Sequence, residues 1–228
     1  MKINKNDLLP NYFEKTAWKS DFFICGTDEV GRGCLAGPLV VSAAILPQKT
    51  NYKFLIDSKK LTEAQRNLAF SWISKNCWHT SIIINPRQID RLNIYQATLK
   101  AMKKATRQLL DHVPIQISSR VKYVLADAMP LEITNPYNEK LECYSMNFGE
   151  SYSNSIAAAS IVAKVTRDRL MEKIGKAFPE FGFAKHKGYG TKLHVNSLKK
   201  LEKTIIHRST YLKNFIMHNE SEEQRTLF

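Results

Sequence analysis

Asp28 and Glu29 are adjacent carboxylates inside the run Gly26-Thr27-Asp28-Glu29-Val30-Gly31-Arg32-Gly33-Cys34-Leu35-Ala36-Gly37-Pro38. A short apolar run at 22–25 reads as a strand and places both acids at its end. Adjacent acids repel, and a shared cation relieves the repulsion. Mg²⁺ takes carboxylate oxygens and keeps several waters, so an acidic pair at a strand end suits it. Gly31 and Gly33 let the backbone approach a ligand closely, and Arg32 between them can face a phosphate. The types and spacing point to metal-assisted chemistry on a phosphodiester. Asp127, after a later apolar run, and Glu150 are further candidates for the same centre. Taken alone, Asp127 also fits a turn residue. Three carboxylates meeting at a sheet end would hold two Mg²⁺ ions, which together stabilise the attacking and leaving oxygens of an in-line displacement.

The elements that must position these acids are legible from periodicity and punctuation. Residues 39–46, bounded by Pro38 and Pro47, form a second strand. A polar loop, Asp57-Ser58-Lys59-Lys60, precedes a helix that Thr62 and Gln65 open with a capping box and that runs to about Lys75. Residues 78–85 form a third strand, halted by Pro86. Residues 94–110 form a helix with Ile94, Ala97, Ala101, Met102, Ala105 and Leu109 on one face. A fourth strand at 121–127 ends on Asp127, and a short fifth lies at 141–146. The longest helix spans 155–178 and begins with the small run Ala157-Ala158-Ala159-Ser160, which allows close packing on a sheet. Asp168 lies within it between Arg167 and Arg169 and is read as a structural acid that pairs locally. Short helices follow near 191–201 and 210–218. An α/β sheet with a helical appendage results. A crossover helix lets the fourth strand run parallel beside the first, bringing Asp127 to the sheet end that holds Asp28 and Glu29.

The chain has 228 residues, enough for one large domain or one domain with a small appendage. It carries 34 Lys and Arg against 21 Asp and Glu, a net charge of +13. Such a surface favours polyanions, because each neutralised phosphate releases counterions. No stretch of about 18 apolar residues occurs, which argues against a spanning helix. The polar start lacks the apolar core of a signal peptide, so a cytoplasmic location is expected. Cys25, Cys34, Cys77 and Cys143 are scattered without a C-x-x-C pair, against a zinc ribbon or a redox pair. The absence of heptads suits a monomer.

The run from Gly26 to Pro38 resembles the first signature of bacterial type 2 ribonuclease H, usually called ribonuclease HII. The likeness recurs in order at Asp57-Ser58-Lys59-Lys60-Leu61, at Leu92-Asn93-Ile94 with Ala97-Thr98-Leu99, and along 155–168, where the block begins Ser155-Ile156-Ala157-Ala158-Ala159-Ser160. It continues at Phe183-Ala184-Lys185-His186-Lys187-Gly188-Tyr189-Gly190-Thr191 and ends at Ile206-His207-Arg208. The related type 3 enzymes carry a large extra N-terminal domain and lack arginine between the two glycines. Arg32 and the roughly twenty residues before the first block favour type 2. The resemblance implies a ribonuclease H-like five-stranded mixed sheet flanked by helices, with a small C-terminal helical appendage. The corresponding division is 1–20 an extension, 21–178 the catalytic domain, 179–218 a basic helical appendage and 219–228 a tail.

The resemblance also implies an endonuclease that cuts the RNA strand of RNA–DNA hybrids. It implies incision 5′ of single ribonucleotides in duplex DNA, leaving 3′-hydroxyl and 5′-phosphate ends, with two divalent ions, Mg²⁺ or Mn²⁺. The family's metal-binding acids map onto Asp28, Glu29 and Asp127, and the fourth onto Glu150. Two departures stand out. The third acid is usually followed by glycine, where this chain has Ala128. The usual Lys-Gly-Asp before the long helix is Phe148-Gly149-Glu150 here, with one methylene more and no adjacent lysine. In the implied mechanism one ion activates a water, and the second, with Asp28 and Glu29 among its ligands, stabilises the departing 3′-oxygen. The Gly31-Arg32-Gly33 turn and Tyr189 would read the 2′-hydroxyl, the group that distinguishes RNA from DNA. Ser58, Lys59, Lys164 and Lys185 would hold the backbone without reading sequence.

The last five residues, Gln224-Arg225-Thr226-Leu227-Phe228, have the Gln-x-x-Leu-Phe form of peptides that dock on the bacterial sliding clamp, with Gln224, Leu227 and Phe228 as anchors. Two other classes compete with this reading. One is a DNA-acting nuclease or transposase-like enzyme on a similar sheet; the other is a non-catalytic hybrid-binding protein. No membrane partner is expected.

Overall fold

The computed structural model describes residues 11–136 and 140–213. The described residues fall into two compact units. The first is drawn from 11–30, 40–83, 98–136 and 140–166, and the second from 31–39, 84–97 and 167–213. The tail residues Gln224, Leu227 and Phe228 lie outside the described residues. No helix among those described is long and apolar enough to cross a membrane.

The first unit is built on the sheet. β1 (Phe23–Val30) is buried from Phe23 to Asp28, and β2 (Leu39–Ile45) at every position. These apolar strands pair antiparallel, with Cys25 opposite Ile45 and Val30 opposite Val40. β3 (Trp78–Ile84) flanks β2. β4 (Val121–Asp127) lies parallel to β1 on its other side, with Thr27 opposite Ala126, and β5 (Glu142–Met146) lies parallel to β4. The order β3-β2-β1-β4-β5 is the expected mixed, five-stranded sheet, with the fourth strand beside the first. β1 is longer than its apolar run suggests: it continues through Asp28 and Glu29 to Val30, because the ladder to β2 continues past the apolar residues.

α1 (Tyr12–Lys19) and α2 (Glu63–Asn76) precede β3 in the chain. After β3 come α3 (Pro86–Leu92), α4 (Ile94–His112) and α5 (Ile115–Ser118). α2 opens with the expected capping box between Thr62 and Gln65. α6 (Asn154–Ala177) begins in the first unit and ends in the second. Its Ala157, Ala158 and Ala159 are wholly buried. Gly26 shows why small residues are needed there: a Cβ on it would lie 2.2 Å from the Ser155 carbonyl carbon. Ile73 and Ile161 join Leu46, Leu61 and Ala69 in the core between α2 and α6. Each fully buried isoleucine contributes about 1.5–3 kcal/mol.

α1 and α3 fall where the sequence showed no helix. α1 has no side-chain cap, since Asn11 at its start makes no capping bond. It is secured from outside: buried Glu14 accepts from Ser153 Oγ at 2.6 Å and from Ser155 N at 2.9 Å, which satisfies a donor in the first turn of α6. α3 does carry a signal. Asn85 and Gln88 form a capping box, and Pro86, read as a strand stop, is the first helical residue.

The second unit contains the rest of α6, α7 (Phe183–His186) and α8 (Lys192–Leu201). Its core joins Ala36, Met171, Phe181 and Phe183. Asp90 of α3 accepts from Ser209 N, Thr210 N and Thr210 Oγ1 at 2.9, 3.0 and 2.6 Å, tying down the chain after Arg208.

Candidate active site

The acidic centre belongs to the first unit. Alternation along β1 sends Thr27 and Asp28 to opposite faces, and Thr27 Oγ1 donates to Ser42 O on β2 at 2.9 Å. Asp28 is buried, and its Oδ1 accepts from Glu29 N at 2.7 Å. The Ser160 hydroxyl also bonds its carboxylate, and Ser160 Oγ lies 3.0 Å from Ser58 Oγ. Burial, then the charges of Glu29 and Asp127, push the Asp28 carboxyl well above the usual aspartate range. Asp127 ends β4, and its Oδ1 accepts from Gly149 N at 3.0 Å. Gly149 opens a short 3₁₀ turn, Gly149–Ser151, that carries Glu150. A Cβ at Gly149 would lie 2.5 Å from Ile156 Cδ1, so a larger residue here would have to push that side-chain tip aside.

Glu150 is buried, and its Oε1 lies 3.7 Å from Lys59 Nζ. Lys59, from the polar loop before α2, brings positive charge to a glutamate that has no lysine beside it in sequence. Glu150 Oε2 is buried without a hydrogen-bond partner. An unsatisfied buried carboxylate oxygen is costly. Among the described residues, no three acidic, histidine or cysteine side chains close on one point. Asp28 turns an oxygen to the Glu29 amide, and Asp127 turns one to the Gly149 amide. The donor set nevertheless fits a hard divalent cation. It consists of carboxylate oxygens, the charges of Glu29 and Asp127 both act on Asp28, and Glu150 holds an unsatisfied oxygen.

The remaining candidates of this unit differ in setting. Lys59 is exposed and Lys164 half-buried on α6. Ser58 is buried beneath the surface, bonded to Ser160, and its carbonyl accepts from Arg66 Nη1 at 3.1 Å.

The Gly31-Arg32-Gly33 turn belongs to the second unit and is held by two wholly buried arginines. Arg208 donates to Gly31 O at 2.6 Å, Arg32 O at 2.7 Å and Gly37 O at 3.0 Å. Arg167 donates to Pro38 O at 2.8 Å, Lys187 O at 2.9 Å and Ala36 O at 3.3 Å. Tyr211 Oη donates to Arg32 O at 2.9 Å. Gly31 has φ +97°, and a Cβ there would strike Arg167 Nε at 2.2 Å. Tyr189 is 42% exposed, with the Arg167 guanidinium 5.8 Å from its ring centroid. Burial, and then the neighbouring Cys34, raise its phenol above the usual range. Lys185 is exposed on α7.

Four supporting residues were not singled out from sequence. Ser160 lay in a run read as packing, and Gly149 in a segment read for its acid. Arg167 was read as a local partner of Asp168, whereas its guanidinium reaches backbone carbonyls. Arg208 ended the final recognised block without a role.

Residues 25–214 match the family model described as Ribonuclease HII. The chain is 44% identical over 207 residues to the ribonuclease HII of Acetivibrio thermocellus, covering 90% of this chain and 76% of that protein. It is 43% identical over 190 residues to the ribonuclease HII of Bacillus cytotoxicus, covering 83% and 68%. Among solved structures, ribonuclease H2 from Pyrococcus horikoshii OT3 superposes with TM-score 0.65 at 24% identity, over 82% of this chain and 93% of that one. A PCNA–RNase HII complex from Archaeoglobus fulgidus superposes with TM-score 0.65 at 22% identity, over 82% and 94%. The matched span carries the acids, the glycine-arginine-glycine turn and Tyr189: the chain belongs to the ribonuclease HII family and is an endoribonuclease.

Proposed function

We propose that this endoribonuclease incises duplex DNA on the 5′ side of a single embedded ribonucleotide, as well as cutting the RNA strand of hybrids. The observation that carries the reading is the pair of Arg208 bonds to Gly31 O and Arg32 O. Carbonyl and N–H point oppositely across a trans peptide, so these bonds turn the amides of Arg32 and Gly33 to the side away from Arg208. Gly33 is exposed, and a Cβ built there would meet nothing within 4 Å. A backbone so arranged suits a small donor–acceptor group such as the 2′-hydroxyl.

In this reading Asp28, Glu29, Asp127 and Glu150 hold two divalent ions, Mg²⁺ or Mn²⁺. When bound, the ions supply charge stabilisation at the attacking and leaving oxygens. Ser160 fixes the Asp28 carboxylate, and the Gly149 amide fixes that of Asp127. Tyr189 stacks on the sugar beyond the ribonucleotide. Arg32, Lys59, Lys164 and Lys185 hold phosphates, while Ser58 acts from beneath, through Ser160. The substrate contacts of the lysines add affinity and no sequence preference.

The test is incision of a DNA duplex with one ribonucleotide in Mg²⁺. A single cut 5′ of the ribonucleotide is expected, and Tyr189→Ala lowers its rate more than it lowers hybrid cleavage. Equal cutting of an all-DNA duplex would instead favour a general nuclease. We further assign the tail to a sliding clamp, through Gln224, Leu227 and Phe228, in a cytoplasmic monomer. Removing the last five residues should weaken clamp binding and spare incision; unchanged clamp affinity counts against this assignment.

A further inference from the structure

His186, His194 and His207 are buried together in the second unit, around Phe183. Backbone donors decide where His207 and His186 carry their protons, and the Tyr189 carbonyl and His207 decide it for His194. Thr204 N donates to His207 Nδ1 at 2.9 Å, and a backbone N–H has no alternative role. His207 Nδ1 is therefore bare, and the neutral ring carries its proton on Nε2. That nitrogen lies 3.0 Å from His194 Nε2, which must accept. His194 then carries its proton on Nδ1, 2.9 Å from Tyr189 O, and donates to it. His186 is polarised in the same manner. Gly188 N donates to its Nδ1 at 3.2 Å, leaving Nε2–H to donate to Phe181 O at 2.7 Å. The His186 and His194 rings stack at 4.5 Å and 14°.

We propose that His207 and His194 are positioning residues for Tyr189, a one-way hydrogen-bond relay from Thr204 N–H that fixes the Tyr189 main chain and thereby aims its ring at the ribonucleotide sugar. The inference rests on the reading of Tyr189 as the sugar-contacting side chain. Each link supports the next. Without the His207 donor, the buried His194 Nε2 loses its partner, and the ring is no longer held against Tyr189 O from that side. Tyr189 O then depends on its bond from Thr191 N, at 2.8 Å. The neutral state of the relay agrees with the environment, since burial and then His194 lower His207 to about 4.

Two-bond ¹⁵N–¹H spectra of the intact, uniformly labelled protein test the relay without any substitution. The expected result is Nδ1–H on His194 and Nε2–H on His207 and His186. An Nε2–H tautomer on His194 overturns the proposal. His207→Phe should loosen the His194 Nδ1–H bond to Tyr189 O, read as faster solvent exchange of that proton, and lower incision at a lone ribonucleotide by roughly ten- to a hundredfold, the scale of a small misplacement of a positioning group. His207→Gln, which keeps a donor near the Nε2 position, should recover most of the loss. Adding His207→Phe to Tyr189→Ala should cost nothing further, whereas additive losses would show that His207 acts elsewhere and defeat the proposal. If Tyr189→Ala alone leaves lone-ribonucleotide incision intact, the Tyr189 reading fails, while the wild-type tautomers still decide whether the relay exists.

Discussion

Asp28 is buried beside Glu29 and within the field of Asp127, and its carboxyl is pushed well above the usual range. The unfolded chain loses that proton near the ordinary aspartate value of about 3.9. Between that value and the raised one, the folded chain binds more protons, so stability falls as pH rises through the window. Asp28→Asn keeps the shape and an acceptor for Glu29 N while removing the repelling charge. In cation-free buffer at pH 7 the variant should melt higher than the parent, by about 2–4 °C for each kcal/mol of repulsion relieved. The advantage should shrink toward pH 4. A scanning calorimetry trace with a lower midpoint at pH 7 would mean that the acids do not repel in the folded protein. Glu150 has no lysine beside it in sequence, and its Oε1 lies 3.7 Å from Lys59 Nζ, far off along the chain.

At the scale of elements, the crossing from β4 to β5 contains a local strain. Ala128, directly after Asp127, has φ +51°, where a methyl group costs about 1–2 kcal/mol. Glycine would avoid that cost but raise the entropy of the unfolded chain by about 0.4–1 kcal/mol. Ala128→Gly should therefore stabilise the protein by about 0.5–1 kcal/mol, read as a higher urea midpoint at constant slope. A lower midpoint would show that the exposed Ala128 methyl makes a contact worth more than the strain. The glycine expected at this position from the family pattern thus has a conformational reason. Most elements that carry the acids were legible in sequence, because apolar strand runs, the α2 capping box and the small face of α6 are local signals. α1 was not legible, because what holds it is the remote bond set from Glu14 to Ser153 and Ser155. α3 was missed for a different reason: Pro86 ends a strand and starts a helix with equal ease.

For the whole molecule, the net charge of +13 matches a polyanionic substrate, and the family match extends over residues 25–214. Composition alone could name the kind of partner but not the chemistry. The ordered blocks could name the acids but not their supports, since Ser160, Arg167 and Arg208 act on residues far away in the chain. Such support is a property of packing and leaves no periodic trace. The account as a whole stands on carboxylates from β1, β4 and the Gly149–Ser151 turn serving divalent-ion-dependent cleavage. The most direct measurement is the single-turnover cleavage rate of an RNA–DNA hybrid against Mg²⁺ concentration, for the parent, Asp28→Asn, Glu29→Gln and Asp127→Asn. Each substitution should lower the saturating rate by at least about a hundredfold, on the scale of losing one transition-state charge contact, with hybrid affinity retained. Cleavage near the parent rate in any of the three, or full cleavage in the parent without divalent ions, would contradict the account.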